Sequence, residues 1–359
     1  MLTGDTREVY NRVLVQSLRR KAAARGRRAA ASEIEEVTFL EQKVISTGTR
    51  YLYTSAVLGF EAWAKHNNRQ LDKSRKVAKH MRQYFYSKYK AGHGPAIGRN
   101  TLYGWVHLRC DNQQKGLRQL SQCARSIKGW AKHVQETSKD PCPQNTAWTI
   151  SEWMLENGFV DAGKCIPIQL DGYMRPSDAL MLTRQHILKP SLLAGPPFDT
   201  CWGAVLAPQH ERQRMKNGEF DCGVVFGIND RAWVAQYVSY LYTSSHGSDR
   251  LFPSLTLESY EYAFRKATQA LDLQDLHVTP HTMRHTGPSH DRFCKAISLE
   301  EIGKRGHWKS LSSVRRYEKH ACLLRQLNRL TEKQVLAGRA AARKLQHKLR
   351  HACGVYDSD

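Results

Sequence analysis

The sequence predicts a mainly α-helical protein with one small β-sheet, an α+β chain of two domains. Three observations lead there. Apolar residues recur at helical spacing through the first 134 residues, with no alternating stretch among them. The segment SKDPCPQN, 138–145, carries two prolines and breaks that pattern. Beyond it, three short runs rich in β-branched and aromatic residues lie between helical stretches.

In chain order, residues 1–45 read as a basic arm containing SLRRKAAARGRRAA. Such a stretch suits a DNA-seeking arm, a nuclear-import signal or a solvated helix end. Residues 46–137 read as a small helical domain. Tyr53, Val57, Phe60 and Trp63 make one apolar stripe, and Val77, Met81, Tyr84, Phe85 and Tyr89 make a second among Lys and Arg. AGHGPAIGRN is Gly-rich and predicts a loop, followed by helices near 101–110 and 115–134. Residues 138–145 are the linker, and 146–325 form the second domain. Helices are expected at 146–158 and 166–182, then strands in QHILKP, WGAVLAP and CGVVFG. After Asp230 the chain reads as helical, with breaks near Pro253, Pro280 and Gly306. Residues 326–359 are a basic helical tail, and a stripe of Leu323, Leu327 and Leu330 runs into its start.

Charge narrows the function. The 359 residues hold 55 Lys and Arg against 33 Asp and Glu, a formal net charge of +22. Such an excess calls for a polyanionic partner, and nucleic acid comes first because neutralised phosphates release counterions. A membrane surface comes second, but no apolar run approaches the roughly 20 residues of a spanning helix. The start, MLTGDTREVYNRVL, lacks the apolar core of a signal peptide. The nine Cys form no C-x-x-C pair, which suits reduced thiols inside the cell. GxGxxG and P-loop patterns are absent. His277, His281 and His285 are spaced as a metal-binding helical face, but Pro280 interrupts it and no H-E-x-x-H accompanies it. No metal and no cofactor are therefore expected.

Three distant segments carry candidate chemistry: GYMRPSDALMLT with Arg175, VTPHTMRHTG with His281, Arg284 and His285, and KRGHWKSLSSVRRYEKH with His307, Trp308 and Tyr317. Guanidiniums suit phosphate because their paired N–H donors stay charged at cellular pH. A phenol is a poor nucleophile until its proton leaves, so a neighbouring base is needed.

Together and in this order, the segments resemble the tyrosine recombinase (phage integrase) superfamily. The resemblance covers 166–320 and matches Arg175, Lys216 in RMKNGEF, His281, Arg284, Trp308 or His307, and Tyr317. It implies a helical core-binding domain followed by a tyrosine-recombinase catalytic domain. It also implies a site-specific recombinase or integrase, of a mobile element, that cuts and rejoins double-stranded DNA through a 3′-phosphotyrosyl link. In that reading Arg175 and Arg284 clamp the phosphate, His281 assists the proton of Tyr317, and Lys216 is the general acid. The family gap from His or Trp to Tyr is nine positions. Trp308 lies nine before Tyr317 and His307 ten, so Trp308 is favoured, with His307 the alternative. The resemblance implies neither ATP nor metal in the reaction, and a homotetramer on two DNA sites. The tail would then dock on a neighbouring protomer; packing on its own domain is the other possibility. The expected location is intracellular, nuclear in a eukaryote and otherwise cytoplasm or nucleoid. The rival functions are a type IB DNA topoisomerase, which shares the Arg, Lys and Tyr chemistry, and a non-catalytic DNA-binding protein derived from a recombinase.

Overall fold

The computed structural model describes residues 44–134, 140–211, 215, 218–318 and 320–356. All but the end of the expected basic arm lies outside them. The chain divides into two units, Met1–Ser138 and Lys139–Asp359, each taken by itself below.

The first unit is helical: α1 (Thr47–His66), α2 (Ser74–Lys90), α3 (Ala96–Arg109), α4 (Gln113–Gln119) and α5 (Ser121–His133). Ser46 caps α1 by accepting from the Thr49 N–H at 3.2 Å, and Asn112 caps α4 in the same way. Phe60 of α1 meets Met81 and Phe85 of α2, Leu102 and Val106 of α3, and Ile127 and Trp130 of α5. Val57 is buried with Leu108, whereas Tyr89 stays partly exposed.

Two expectations change here. Helix α3 starts at Ala96, inside the Gly-rich segment expected to be a loop. The reason is packing. A Cβ on Gly98 would lie 3.1 Å from Ile127 and 3.2 Å from Trp130, so glycine lets α3 approach α5. Gly104 serves the crossing with α1, where a Cβ would lie 2.9 Å from the Tyr53 carbonyl oxygen. The helix expected over 115–134 is two helices that meet at Leu120.

The second unit begins with α6 (Gln144–Glu156) and α7 (Val160–Asp171), then the short α8 (Pro176–Leu180). The three expected strands form as β1 (Ile187–Leu188), β2 (Gly203–Leu206) and β3 (Cys222–Val225). They pair antiparallel in the order β1-β2-β3, with Ile187 opposite Ala204 and Leu206 opposite Cys222. Helices α9 (Trp233–Ser244), α10 (Leu257–Ala270), α11 (Pro280–Phe293) and α12 (Leu299–Arg305) follow. After them come the one-turn α13 (Leu311–Val314), a 3₁₀ turn (Arg315–Glu318), α14 (His320–Leu327) and α15 (Glu332–Ala352). The chain is thus mainly α with one small sheet, as its patterning predicts. Among the described residues no helix is long and apolar enough to cross a membrane.

The tail lies on its own unit. Helix α15 buries Ala341, Leu345 and Leu349 against α6 and the common core. Gly338 makes the close approach, since a Cβ there would lie 3.1 Å from Asn145. Lys348 pairs with Glu152 and Glu156 of α6. Leu323 is buried and Leu330 packs on the core, while Leu327 stays at the surface.

The crossing of α1 and α3 leaves no room for a side chain at position 104. Gly104→Val should cost about 1–3 kcal/mol of stability, the usual price of overpacking. Denaturant unfolding of the full chain checks this, and a wild-type midpoint would refute the close crossing.

Candidate active site

Arg231 is fully buried, where an unpaired guanidinium would be prohibitive. It sits in the 3₁₀ turn Asn229–Arg231 between β3 and α9. Its Nε donates to Asp171 Oδ1 at 2.8 Å. Its Nη1 donates to Gln144 Oε1 at 2.8 Å and Asp291 Oδ1 at 2.9 Å, and its Nη2 to Asp291 Oδ2 at 2.6 Å. The Gly227 N–H donates to Asp171 Oδ2 at 2.8 Å. Arg305, at the end of α12, donates from Nη2 to the Asp171 carbonyl at 2.7 Å and lies 3.5 Å from its carboxylate. Two buried carboxylates therefore face two guanidiniums. Burial acts against the charge of Arg231, but its hydrogen bonds to Asp291 and the charge of Asp171 outweigh that and raise its pKa.

Tyr173 ties this cluster to the candidate site. Its hydroxyl donates to Asp291, and burial followed by the Asp291 charge keeps the phenol protonated. Its backbone is left-handed, φ 50°, which turns the carbonyl toward α11. That carbonyl accepts from Arg284 Nη1 at 2.6 Å, and the Gly306 carbonyl accepts from Nη2 at 2.8 Å. Arg284 is 3% exposed, with its guanidinium carbon 4.5 Å from the Trp308 ring centroid. Burial, then the nearby charge of Arg175, lowers its pKa to about 10, so it stays charged at neutral pH. Arg175 precedes α8 and pairs with Asp178 at 3.4 Å.

Helix α11 starts at Pro280, which occupies the first helical position, behind Thr279. Spacings of three and four then put His281, Arg284 and His285 on one face. Gly287 lets α11 touch α7, because a Cβ there would lie 2.3 Å from the Leu170 carbonyl oxygen. The Tyr317 hydroxyl lies 3.1 Å from His285 Nδ1, and the Tyr317 ring packs on Trp308 at 5.0 Å. Tyr317 is 2% exposed, and burial raises its phenol pKa. The His281 and His285 rings meet edge to face at 5.2 Å. His281 is exposed at a cleft of about 470 Å³ lined also by Arg175, Ser177, Glu261, Arg265 and Thr279.

Of the residues expected from sequence, Arg175, His281, Arg284, His307, Trp308 and Tyr317 converge in the second unit. Lys216 lies outside the described residues. Both candidates for the His/Trp position adjoin Arg284. Trp308 stacks on its guanidinium, while His307 is half-buried within electrostatic reach of Glu219, Arg284, Asp178 and Arg175. Burial lowers the His307 pKa. His277 precedes α11 in a left-handed conformation, φ 49°, so it does not continue the helical face of His281 and His285. Sequence reasoning left out His285 as the partner of Tyr317, and also Asp171, Arg231 and Asp291. The signal for Asp291 was its place seven residues after Arg284, two turns along the same helix. Among the described residues, one group could hold a metal ion: Glu219, Cys222 and His307.

Asp230 extends the cluster to the surface, 3.0 Å from His290 Nε2 and 2.7 Å from Gln144 Nε2. Its pKa falls to about 2 from 3.8: burial raises it, and the hydrogen bond and charge of His290 more than offset that. A depressed carboxylate adds stability above its unfolded pKa and loses it as pH falls through the folded one. Asp230→Asn should therefore flatten the loss of stability between pH 3.8 and about 2. Unfolding midpoints at matched acid pH values test this; an unchanged acid slope would refute the pairing.

No protein-family model matches the sequence, and no curated protein matches it. Several solved structures are similar, two of them as follows. One is described as the crystal structure of XerA recombinase, at 13% identity and TM-score 0.36, covering 87% of this chain and 96% of that one. The other is XerH site-specific recombinase bound to difH substrate, a pre-cleavage complex, at 12% identity and TM-score 0.38, covering 85% of this chain and 92% of that one. Both likenesses are distant, and the functional reading rests on the side chains.

Proposed function

We propose that this chain is a tyrosine recombinase that cuts and rejoins double-stranded DNA, with Tyr317 as its nucleophile. One observation carries the reading. Segments more than 30 residues apart bring a buried tyrosine hydroxyl to a histidine nitrogen, 3.1 Å away, one residue from a desolvated arginine. A structural core has no need of that combination.

The scissile phosphate would lie between Arg175 and Arg284, whose donors bind the non-bridging oxygens as charge builds there. Arg284 donates to two carbonyls, and among the described residues it forms no carboxylate pair, so its charge is available to a phosphate. His285 Nδ1 is the nearest base to the phenol, and His281 beside it passes the proton to the cleft. This differs from the assignment of that step to His281 alone. Lys216, in the connection from β2 to β3, would protonate the leaving 5′ oxygen. Trp308 holds the Tyr317 ring and the Arg284 guanidinium, and His307 serves as a further phosphate donor. Attack by the Tyr317 oxygen forms the 3′-phosphotyrosyl bond and frees the 5′ hydroxyl; the reverse attack rejoins the strand. Recombination at specific sites of a mobile element, by a tetramer on two duplexes, is the setting this chemistry suits.

The test is adduct formation on a nicked suicide substrate. Wild type should give denaturation-resistant protein–DNA adducts in excess chelator. Tyr317→Phe should give none, and Arg284→Ala should slow the reaction by roughly a hundred- to a thousandfold. Adducts that persist in the Tyr317→Phe chain, or that require magnesium, would refute the mechanism.

A further inference from the structure

We propose that Glu219, Cys222 and His307 form a binding site for a zinc-class divalent ion at the margin of the candidate active site. A carboxylate oxygen, a thiol sulfur and an imidazole nitrogen lie within 4.8 Å of one another. Two elements supply them. Glu219 and Cys222 bracket the start of β3, and His307 lies in the turn after α12, in a left-handed conformation with φ 52°. Cys222 Sγ already approaches Glu219 Oε2 at 3.8 Å.

The donor set selects the ion. Sulfur and imidazole disfavour magnesium and calcium, which take oxygen ligands, and favour zinc and its neighbours. Three protein donors leave a fourth position for water. A cysteine thiol, with an ordinary pKa of about 8.5, carries its proton at neutral pH. Binding therefore exchanges a proton for the metal: the S–H bond breaks, the sulfur keeps the electron pair and bonds the ion, and the proton leaves to solvent. Affinity should rise with pH. Asp178 and Asp221 add negative charge around Cys222. Arg175 and Arg284 oppose the ion near His307, and Lys309 pairs with Glu219 at 3.5 Å. Lys309 is largely solvent-exposed, so the ion can displace it.

The consequence rests on the proposed recombinase reading. Glu219 lies three residues after Lys216. A bound ion would fasten Glu219 and Cys222 to the 306–309 turn and engage the His307 imidazole. It would thereby act as an inhibitor of strand cleavage rather than a cofactor.

Cobalt(II) titration of the reduced, tag-free full chain tests the site without reference to DNA. One equivalent should produce a thiolate-to-cobalt charge-transfer band with tetrahedral d–d bands, and zinc should displace it. Cys222→Ser should abolish the band, while Cys294→Ser, which removes an exposed thiol, should keep it. Absence of the band from wild type, or its survival in Cys222→Ser, overturns the site. In the suicide-substrate reaction, zinc should slow wild type at least tenfold and chelator should restore it, while Cys222→Ser reacts at the metal-free rate throughout. A cobalt band with zinc-insensitive cleavage overturns the inhibitory role. A cobalt band in a chain that forms no DNA adduct in chelator overturns the recombinase reading and leaves the metal site standing.

Discussion

Arg231, buried between Asp171 and Asp291, fixes the elements on which the candidate site stands. Asp171 ends α7, Asp291 lies in α11, Arg231 precedes α9, and Arg305 brings the end of α12 to the same carboxylate. Each of these ions alone would cost several kcal/mol to bury. Together they pair across four elements, so that each buried charge meets an opposite one. Such a cluster adds little stability over an apolar core of equal volume, so its value here is geometric. Tyr173 carries that geometry onward, with its hydroxyl on Asp291 and its carbonyl on Arg284. The left-handed backbone of Tyr173 costs about 1 kcal/mol, and the two hydrogen bonds offset it.

Helix α11 then joins the structural and the chemical roles. Asp291 anchors it, Arg284 presents the guanidinium, and His285 meets the Tyr317 hydroxyl. The base and the phosphate donor of the proposed reaction are adjacent residues on one helix, so their relative placement is set by helix geometry rather than by a loop. Two backbone carbonyls orient Arg284 without cancelling its charge, and the nearby Arg175 makes the place favourable for an anion. The Tyr317 phenol is buried, which raises its pKa, and its hydroxyl lies 3.1 Å from His285 Nδ1.

The candidate residues were easier to pick out of the sequence than the buried cluster that positions them. Arg175, His281, Arg284 and Tyr317 stand out through the order of motifs that resembles the recombinase family. The strands were legible because β-branched runs leave few alternatives. The buried cluster was not, since Asp171 and Asp291 each lie 60 positions from Arg231 in ordinary contexts. Residue counting favoured Trp308 over His307, but it did not show that a turn with a positive φ at His307 brings both beside Arg284. Gly98 was read as part of a loop, though it serves a helix contact. The Leu stripe and basic tail showed amphipathic helices, but periodicity alone does not name the surface they cover.

The claim that one buried ionic cluster organises the site is tested most directly by equilibrium unfolding of the Arg231→Met chain. Methionine fills much of the volume while leaving Asp171 and Asp291 without their shared counter-charge. The account predicts a loss of about 3–5 kcal/mol, the cost of breaking a buried ion pair from one side. Unfolding at the wild-type midpoint with an unchanged denaturant dependence would contradict it.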